Sequence, residues 1–296
     1  MKVLRLKKRE LDLGVFVKRS AVESDFKTLI TEPTIIVDDD DGQIKIIYDH
    51  LEGLDTEPLV EALKRIKYHE GKRSRGLVSR SRIFGYRPRL ELRGDYCSTT
   101  SLAVEAPNEH ALVADFAIKL EEYYKRYQEE GYAKHKMLAE EKVKKEYRIQ
   151  GKSVFTSGII NKNNPLKYHY DRGNFRDVYS CMVVFKQDIQ GGFLSVPAYD
   201  IGFQLPNNSI FLFDGQSILH GVTPIKRHHE NGHRFSIVYY SLKRMWQCLE
   251  VDEELARIRK RKTQRERARA NNPLTEEDRL AKAKGIASML PRRGKQ

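Results

Sequence analysis

The segment from Leu166 to Leu242 constrains the fold more than any other part of the chain, because it combines metal-binding residue types with short apolar runs. His169 and Asp171 stand two positions apart, and His220 follows the apolar run Ser209–Phe213. Residues two apart in an extended strand point to the same side, so His169 and Asp171 are expected to share one face. Glycines and prolines divide the segment into short strand-like pieces, which predicts a β-rich core.

The same segment carries the residues of a metal site followed by an anion-binding pair. Two imidazoles and one carboxylate are the ligand set of non-haem Fe(II) sites, in which other coordination positions stay open. Downstream, Asn231-Gly232 predicts a hairpin turn and a new strand from Arg234. Arg234 and Ser236 would share a face of that strand. A guanidinium can bind a carboxylate through two hydrogen bonds, and a serine hydroxyl can add another.

A longer ordered series of motifs surrounds these residues and carries a family resemblance. It consists of Asn164–Phe175, Tyr179–Met182, Gly191–Leu194, Pro197–Asp200, Leu212–Gly215 and His220–Pro224. The series resembles the core of the Fe(II)/2-oxoglutarate dioxygenases and, within that superfamily, the TET/J-binding-protein branch. The resemblance covers roughly residues 72–247 and is strongest over 155–242. A bare His-x-Asp…His pattern is weak because short motifs recur by chance, whereas the full series with its anion pair is specific.

The resemblance implies a fold, a set of cofactors and a reaction. The fold is α+β, with a double-stranded β-helix core of the jelly-roll or cupin-like kind, N-terminal helices packed on it and a basic helical C-terminal tail. Fe(II) would bind His169, Asp171 and His220, and 2-oxoglutarate would bind Arg234 and Ser236, with O2 as the oxidant. The implied reaction hydroxylates the 5-methyl group of a pyrimidine in DNA, with 5-methylcytosine favoured over thymine. A stacked base cannot reach a buried metal, so the target base would be flipped out or single-stranded.

Substrate residues are less well marked. Four polar residues near the metal motif are candidates for the base pocket because of their position alone. They are Asn161, Asn164, Tyr168 and Asn174. Structural capping explains each of them equally well.

Length and charge indicate the organisation of the chain. A chain of 296 residues suits one large catalytic domain with extensions. We expect a mixed segment over 1–70, the oxygenase domain over 71–249 and a basic extension over 250–296. The net charge of +13 indicates a polyanionic partner, with nucleic acid the first candidate and an anionic membrane surface the second. A basic protein without such a partner is the alternative.

Two basic segments are candidate nucleic-acid contacts. Arginines alternate with aromatic residues over 71–96, and Arg257 to Arg269 contains eight basic residues and one acidic residue. Phosphates attract such cations, and aromatic rings can stack on unpaired bases. The candidate residues are Arg82, Arg87, Arg89, Arg259, Lys260 and Arg261. A solvated loop and a solubilising tail are the alternatives.

Periodicity predicts the regular elements outside this core. Apolar residues at helical spacing predict helices over 57–68 and 108–130, and a second, more charged helix is expected over 133–148. The acidic run before Gly42 predicts a turn between two strands. The N-terminal half is therefore expected to contain both helices and strands.

Cysteine usage and the N-terminus bear on location. Cys97, Cys181 and Cys248 are far apart and odd in number, which predicts no disulfide framework, no structural zinc and a reducing compartment. The N-terminus lacks the apolar core of a signal peptide, and no apolar run has the length of a membrane span. We expect an intracellular, soluble monomer of the cytoplasm or nucleoid, or of a phage-infected host cell. Its expected partner is DNA, and no membrane association is expected.

Two other functions remain open. A 2-oxoglutarate oxygenase acting on a protein or small molecule would share the metal triad, and the basic segments favour DNA over it. A nucleic-acid-binding module with a relict cupin core would not need an intact triad and anion pair.

Overall fold

Two β-sheets that face each other form the centre of the structure, a computed structural model that describes residues 1–73, 77–89, 96–271, 276–277 and 280. Over these residues the larger sheet has ten strands and the smaller has five. The larger sheet runs, in spatial order, β1 (Lys2–Leu6), β3 (Thr34–Asp38), β4 (Ile44–His50), β14 (Ser209–Phe213), β10 (Ser180–Gln187), β17 (His233–Tyr240), β8 (Ser157–Lys162), β6 (Leu77–Arg87) and β5 (His69–Arg73), with β7 (Ser98–Thr99) paired to β6.

The smaller sheet carries the metal motif. Its order is β2 (Thr28–Ile30), β13 (Ile201–Phe203), β12 (Leu194–Val196), β15 (His220–Val222) and β9 (Leu166–His169), and a separate pair is formed by β11 (Ile189–Gly191) and β16 (Ile225–Arg227). The helices are α1 (Glu57–Arg65), α2 (Ser101–Glu105), α3 (Pro107–Tyr127), α4 (Glu129–Lys142) and α5 (Val251–Asn271). Single 3-10 turns lie at Leu13–Val15, Glu23–Asp25, Lys145–Tyr147, Ile149–Gly151, Pro197–Tyr199 and Lys243–Gln247.

Strand alternation in the larger sheet separates two apolar cores. On β10, Val183 and Phe185 pack with Leu63 of α1 and Phe116 of α3. Their neighbour Val184 faces the other way and packs with residues of the smaller sheet. The larger sheet is therefore covered by helices on one face and by the smaller sheet on the other. This α+β arrangement confirms the predicted double-stranded β-helix with helices packed on it.

The predicted N-terminal elements are present, with shifted ends. The three predicted helices correspond to α1, α3 and α4, although α4 ends at Lys142 and two 3-10 turns follow. The predicted turn joins β3 to β4 in an antiparallel pair. Residues before position 70 add strands to both sheets, since β1, β3 and β4 join the larger sheet and β2 pairs with β13.

Cys97 and Cys248 form a disulfide, so the prediction from cysteine usage was wrong. Their sulfurs are 2.00 Å apart and their Cα atoms 5.7 Å apart. The two residues are separated by 151 positions in sequence, and the fold brings them together where spacing along the chain gave no sign of it. Cys181 is buried and, among the described residues, forms no disulfide. The argument from cysteines to a reducing compartment therefore no longer holds.

The turn at Asn231-Gly232 is present but does not join a hairpin, which corrects the sequence prediction. The strand before it, β16, pairs with β11. The strand after it, β17, starts at His233 and pairs with β10 and β8 in the larger sheet. The chain changes sheets at this turn, which a local turn signal cannot show.

The chain divides into two compact units. The first spans 1–89 and 97–249 and holds both sheets, and the second contains α5. The first turn of α5 is acidic, with Asp252, Glu253 and Glu254, and the basic residues follow, an order that suits the helix dipole at its N-terminal end. None of the helices in the described ranges combines the length and the apolar content needed to cross a membrane.

Candidate metal centre

The three residues of the predicted metal triad meet on the smaller sheet. His169 is the last residue of β9 and is paired in register with His220, the first residue of β15. Their imidazole rings lie 4.4 Å apart, centre to centre. Asp171 follows β9 by two residues, and its backbone N–H donates to the carbonyl of Gly215 at 2.8 Å. This bond fixes the carboxylate beside the two rings.

The distances within the triad suit a single metal ion. One ligand atom from each residue lies within 4.8 Å of the others. His169 Nε2 is 3.5 Å from one Asp171 oxygen, and His220 Nε2 is 4.0 Å from the other. Within the described part of the chain, this is the group of histidine, cysteine and carboxylate side chains that could hold a metal ion.

Hydrogen bonds orient both imidazoles toward the carboxylate. Nδ1 of His169 lies 2.8 Å from the carbonyl of Lys167, and Nδ1 of His220 lies 2.9 Å from the carbonyl of Ile218. A carbonyl can only accept, so each Nδ1 carries the proton and each neutral ring presents its Nε2 lone pair on the side of Asp171. Such bonds to the second ring nitrogen fix the tautomer of metal-binding histidines.

The protonation states also suit a metal. Burial, reinforced by the neighbouring His169, lowers the pKa of His220 to about 4, which keeps the ring neutral near pH 7. Burial raises the pKa of Asp171, but the attraction of the two imidazoles, once they are protonated at acidic pH, lowers it by more and holds that pKa below its usual range. A carboxylate and two neutral imidazoles are the forms that bind a divalent cation.

A cavity of about 310 Å³ extends from the triad into the space between the sheets. Its polar lining includes Asn161 and Ser236, and its walls are mainly apolar. The apolar and aromatic lining residues are Ile159, Leu166, Tyr170, Met182, Leu194, Phe213, Val222, Val238, Tyr240 and Leu242. Ser236, Val238 and Tyr240 occupy alternate positions of β17, on the strand face that was predicted to carry Arg234 and Ser236.

Arg234 supplies an unused cation on that face. Its side chain is 1% exposed, and within the described chain its Nε and Nη2 have no hydrogen-bond partner. Burial lowers the pKa of Arg234 to about 10, so the guanidinium remains charged near neutral pH. A buried charge without partners is costly, which indicates that the site is built to receive an anion. The residues therefore fit a bound carboxylate such as the distal end of 2-oxoglutarate.

A second cavity of about 640 Å³ adjoins the first and shares Tyr170, Arg172 and Asn174 with it. Its remaining lining consists of Gly173 and six residues with charged or polar side chains: Arg176, Asp177, Asp214, Gln216, Ser217 and Lys243. We call this space the outer cavity and the one at the triad the inner cavity. Tyr170 and Arg172 belong to the motif Asn164–Phe175, but the sequence did not predict them as site residues.

The structure separates the four candidate substrate residues. Asn161 lines the inner cavity and Asn174 lines both cavities. Asn164 is buried and bonds to both the backbone N–H and the carbonyl of Arg80. The buried hydroxyl of Tyr168 bonds to Asp25 and Ser195. Asn164 and Tyr168 therefore support the fold and do not line either cavity.

The six candidate nucleic-acid residues are also separated. Arg82 is 3% exposed and both of its terminal nitrogens donate to Glu105 at 2.9 Å, which commits it to the fold and removes it as a phosphate ligand. Arg87 bonds to Ser98, and Arg89 donates to the carbonyl of Gln247. The other three, Arg259, Lys260 and Arg261, lie on α5 in the second unit.

Comparison with known proteins agrees with this geometry. Residues 93–243 match the Tet_JBP family model, described as the oxygenase domain of the 2OGFeDO superfamily, which implies Fe(II) and 2-oxoglutarate. The chain is 29% identical over 106 residues to the bifunctional helicase and thymine dioxygenase JBP2 of Leishmania braziliensis, a match that covers 36% of this chain and 10% of that protein. JBP2 of Leishmania major matches to the same extent. The chain thus spans about a tenth of the length of these curated relatives.

A solved structure shares the fold. NgTET1 in complex with 5mC DNA superposes with a TM-score of 0.55 at 14% identity, covering 78% of this chain and 86% of that one. The family match extends over half of the 296 residues and includes the whole metal triad and the anion pair. The chain therefore belongs to the Tet/JBP family of oxygenase domains in the 2OGFeDO superfamily.

Proposed function

We propose that the chain is an Fe(II)- and 2-oxoglutarate-dependent dioxygenase that hydroxylates the 5-methyl group of a pyrimidine in DNA. One observation carries the proposal: the triad lies at an apolar inner cavity that continues into an outer cavity with three cations and two carboxyl groups in its lining. Such an arrangement suits a small apolar group, presented to a metal, on a substrate that carries negative charge. The base we favour is 5-methylcytosine, with thymine second.

His169, Asp171 and His220 would hold Fe(II), and Arg234 with Ser236 would bind the distal carboxylate of 2-oxoglutarate. When bound, these groups and O2 insert one oxygen atom into a C–H bond while 2-oxoglutarate is oxidised to succinate and CO2. The protein itself contributes position and exclusion of water. Leu194 and Val222, on adjacent strands of the smaller sheet, and Val238 on the larger sheet supply apolar walls for that purpose.

The inner cavity suits a single extruded base. A volume of about 310 Å³ does not admit a base pair, so the target would have to leave the duplex or be single-stranded. Asn161 and Asn174 are the polar residues that could contact the edge of the base, because a primary amide offers both a donor and an acceptor. Asn161 also accepts a bond from Asn164, which holds its amide in place.

The outer cavity suits the phosphates that flank such a base. Arg172, Arg176 and Lys243 line it, together with Asp177 and Asp214. Asp177 is paired with Lys134 at 3.2 Å. Burial raises the pKa of Asp214, which favours its neutral form more than in water. The balance at the mouth is therefore positive, as binding of a nucleic-acid backbone requires.

The relatives support a base with a 5-methyl group in DNA, but they point to different bases. JBP2 is named a thymine dioxygenase, and NgTET1 was solved with 5mC DNA. Both bases carry a methyl group at the same ring position, and they differ in the group at the neighbouring ring carbon. The choice between them therefore depends on the few polar atoms of the inner cavity.

The test is anaerobic loading with Fe(II) and 2-oxoglutarate, followed by addition of oxygen and DNA. One DNA contains 5-methylcytosine and the other contains thymine as its sole methylated base, and both are digested to nucleosides for mass spectrometry. We expect one added oxygen on 5-methylcytosine, and none with the His169→Ala or Arg234→Ala variants. Gain on thymine alone would reassign the base.

A different result would redirect the proposal. If iron binds and succinate forms but no nucleoside is oxidised, the DNA substrate is wrong and an oxygenase acting on a protein or small molecule becomes the better description. If neither metal nor 2-oxoglutarate binds, the enzymatic proposal itself fails.

A further inference from the structure

Lys186 is a second cation beside the anion pair formed by Arg234 and Ser236. It is the direct partner of Arg234 in the antiparallel register of β10 and β17. Side chains of directly opposed residues lie on the same face of a sheet. That face carries Ser236 on β17 and Met182 on β10, both of which line the inner cavity. Lys186 therefore points to the same side as the residues that would bind 2-oxoglutarate.

The glycine pair Gly191-Gly192 brings the two cations to one place. Lys186 Nζ donates to the carbonyl of Gly191 at 3.0 Å. A Cβ atom built on Gly192 would lie 2.9 Å from Arg234 Cδ and 3.1 Å from its Nε. Gly192 also has a backbone φ of +69°, which residues other than glycine rarely adopt. The turn thus passes closely over the arginine while its carbonyl orients the lysine.

The charges at this place are not neutralised by the protein. In the described ranges, neither Lys186 nor Arg234 has an ion-paired carboxylate, and no acidic group contributes to the pKa of either one. Burial, and then the charge of Arg234, lower the pKa of Lys186 to about 8. Arg234 on β17 is the charged group that acts on Lys186, while the Gly191-Gly192 turn and Phe193 bring no charge. Two repelling, partly desolvated cations are stabilised by an anion between them.

We propose that Lys186 binds the distal carboxylate of 2-oxoglutarate together with Arg234, so that this end of the ligand is held by two cations. The inference rests on the proposed function, because it assigns a role within the same site. Its consequence is that the affinity for 2-oxoglutarate depends on pH. A bound carboxylate raises the pKa of Lys186, so binding takes up a proton wherever the free protein has lost it. Affinity is then full below about pH 8 and falls above it.

A purely structural lysine would behave differently. If Lys186 only holds the Gly191 carbonyl, its replacement disturbs the turn and weakens every ligand of the site to the same degree. If it binds the distal carboxylate, its replacement weakens ligands that have that group and spares those that lack it. Pyruvate has the 2-oxo acid end without the distal carboxylate and therefore separates the two roles.

The experiment measures binding and not turnover. Protein loaded with Mn(II) in place of Fe(II) is titrated calorimetrically with 2-oxoglutarate and with pyruvate from pH 6.5 to 9.5. The variants are Lys186→Met, Lys186→Arg and, as a matched surface control, Lys226→Met, since Lys226 is exposed. Apparent melting temperatures without ligand show whether each variant folds.

For the wild type and Lys226→Met we expect the affinity for 2-oxoglutarate to fall by up to about tenfold per pH unit above pH 8. Lys186→Met should bind 2-oxoglutarate roughly ten- to a hundredfold more weakly at pH 7 and without that decline. Lys186→Arg should keep most of the affinity and lose the decline, because arginine stays charged. Binding of pyruvate should be alike in all four proteins.

Three results would overturn the inference. One is an identical pH profile for the wild type and Lys186→Met, and another is an equal loss of 2-oxoglutarate and pyruvate in Lys186→Met. The third is the absence of 2-oxoglutarate binding by the wild type at any pH, which would also overturn the proposed function. In the first two cases the wild type still binds 2-oxoglutarate, so the proposed function stands.

Discussion

At the scale of single residues, Gly215 controls the position of the Asp171 carboxylate. Its carbonyl accepts the Asp171 N–H, and a Cβ atom at Gly215 would lie 2.3 Å from Asp171 Oδ2. The φ of Gly215 is not positive, so the backbone accepts alanine and the clash falls on the carboxylate. We expect Gly215→Ala to lower metal affinity roughly ten- to a hundredfold, the range seen when the support of a ligand is lost. Calorimetric titration with Mn(II) measures it.

The matched control is Gly131→Ala on α4. There the added methyl would meet the flexible side chain of Gln128 at 2.9 Å, far along the chain from the triad. We expect this variant to bind metal like the wild type. Equal metal affinity in Gly215→Ala and the wild type would show that the carboxylate can move aside without loss, and that the triad geometry is less constrained than the contact indicates.

Residues whose roles follow from local spacing could be predicted from the sequence. His169, Asp171, His220, Arg234 and Ser236 stand in an ordered motif, and the structure brings the first three within reach of one ion. Gly215 and Lys186 could not be found in this way, because their importance comes from contacts between elements that are distant in sequence. The same reason explains Arg82, where a basic run predicted exposure and the fold instead buries the residue against Glu105.

At the scale of elements, His135 attaches α4 to the larger sheet. The imidazole is fully buried, and its Nε2 lies 2.8 Å from the Ser241 hydroxyl just after β17. Burial lowers the pKa of His135 to about 3. The folded state therefore keeps the ring neutral, whereas the unfolded chain binds a proton below about pH 6.5. Stability from this group is complete above pH 6.5 and is lost as the pH falls toward 3.

We expect the wild type to lose up to about 1.4 kcal/mol of unfolding free energy per pH unit below pH 6.5 through His135. His135→Gln removes the titrating group while keeping a polar partner for Ser241. Between pH 7.0 and 5.5 the unfolding free energy of this variant should therefore fall less steeply than that of the wild type, by up to about 1.4 kcal/mol per pH unit. Urea unfolding at both pH values measures the difference. His228→Gln, at an exposed position, is the control, and a decline in His135→Gln as steep as in this control would contradict the assignment.

Elements with strong periodicity were predictable, and the connections between them were not. The apolar residues of α3 follow helical spacing. Eight residues of this helix are buried, as expected for a helix that packs on a sheet. The change of sheet between β16 and β17 and the disulfide between Cys97 and Cys248 have no local signal. Both depend on which distant segments become neighbours once the two sheets pack.

At the scale of the whole molecule, the net charge can be read from the sequence, whereas the positions of the charged side chains depend on the fold. The excess of +13 is a property of composition. Folding commits some of the cations to ion pairs, such as Arg82 with Glu105 and Lys8 with the buried Asp38, and these pairs leave the excess unchanged. It leaves other cations at the outer cavity and along α5. Composition therefore predicts a polyanionic partner, but it does not indicate which cations would contact that partner.

The contribution of α5 can be measured by the salt dependence of DNA binding. Each phosphate that a cation neutralises releases counterions and steepens the decline of log K with log salt by about 0.9 for duplex DNA. If Arg259, Lys260 and Arg261 all contact phosphates, changing the three to glutamine should reduce that slope by up to about 2.7 and weaken binding uniformly across sequences.

A matched triple on α3, with Lys119, Lys125 and Arg126 changed to glutamine, removes the same charge from exposed positions of the sheet-bearing unit. Fluorescence anisotropy from 50 to about 200 mM salt gives both slopes. A smaller slope in the α5 triple alone means that this helix contacts the backbone, whereas equal reductions in the two triples would mean that net charge, and not the helix, attracts the DNA.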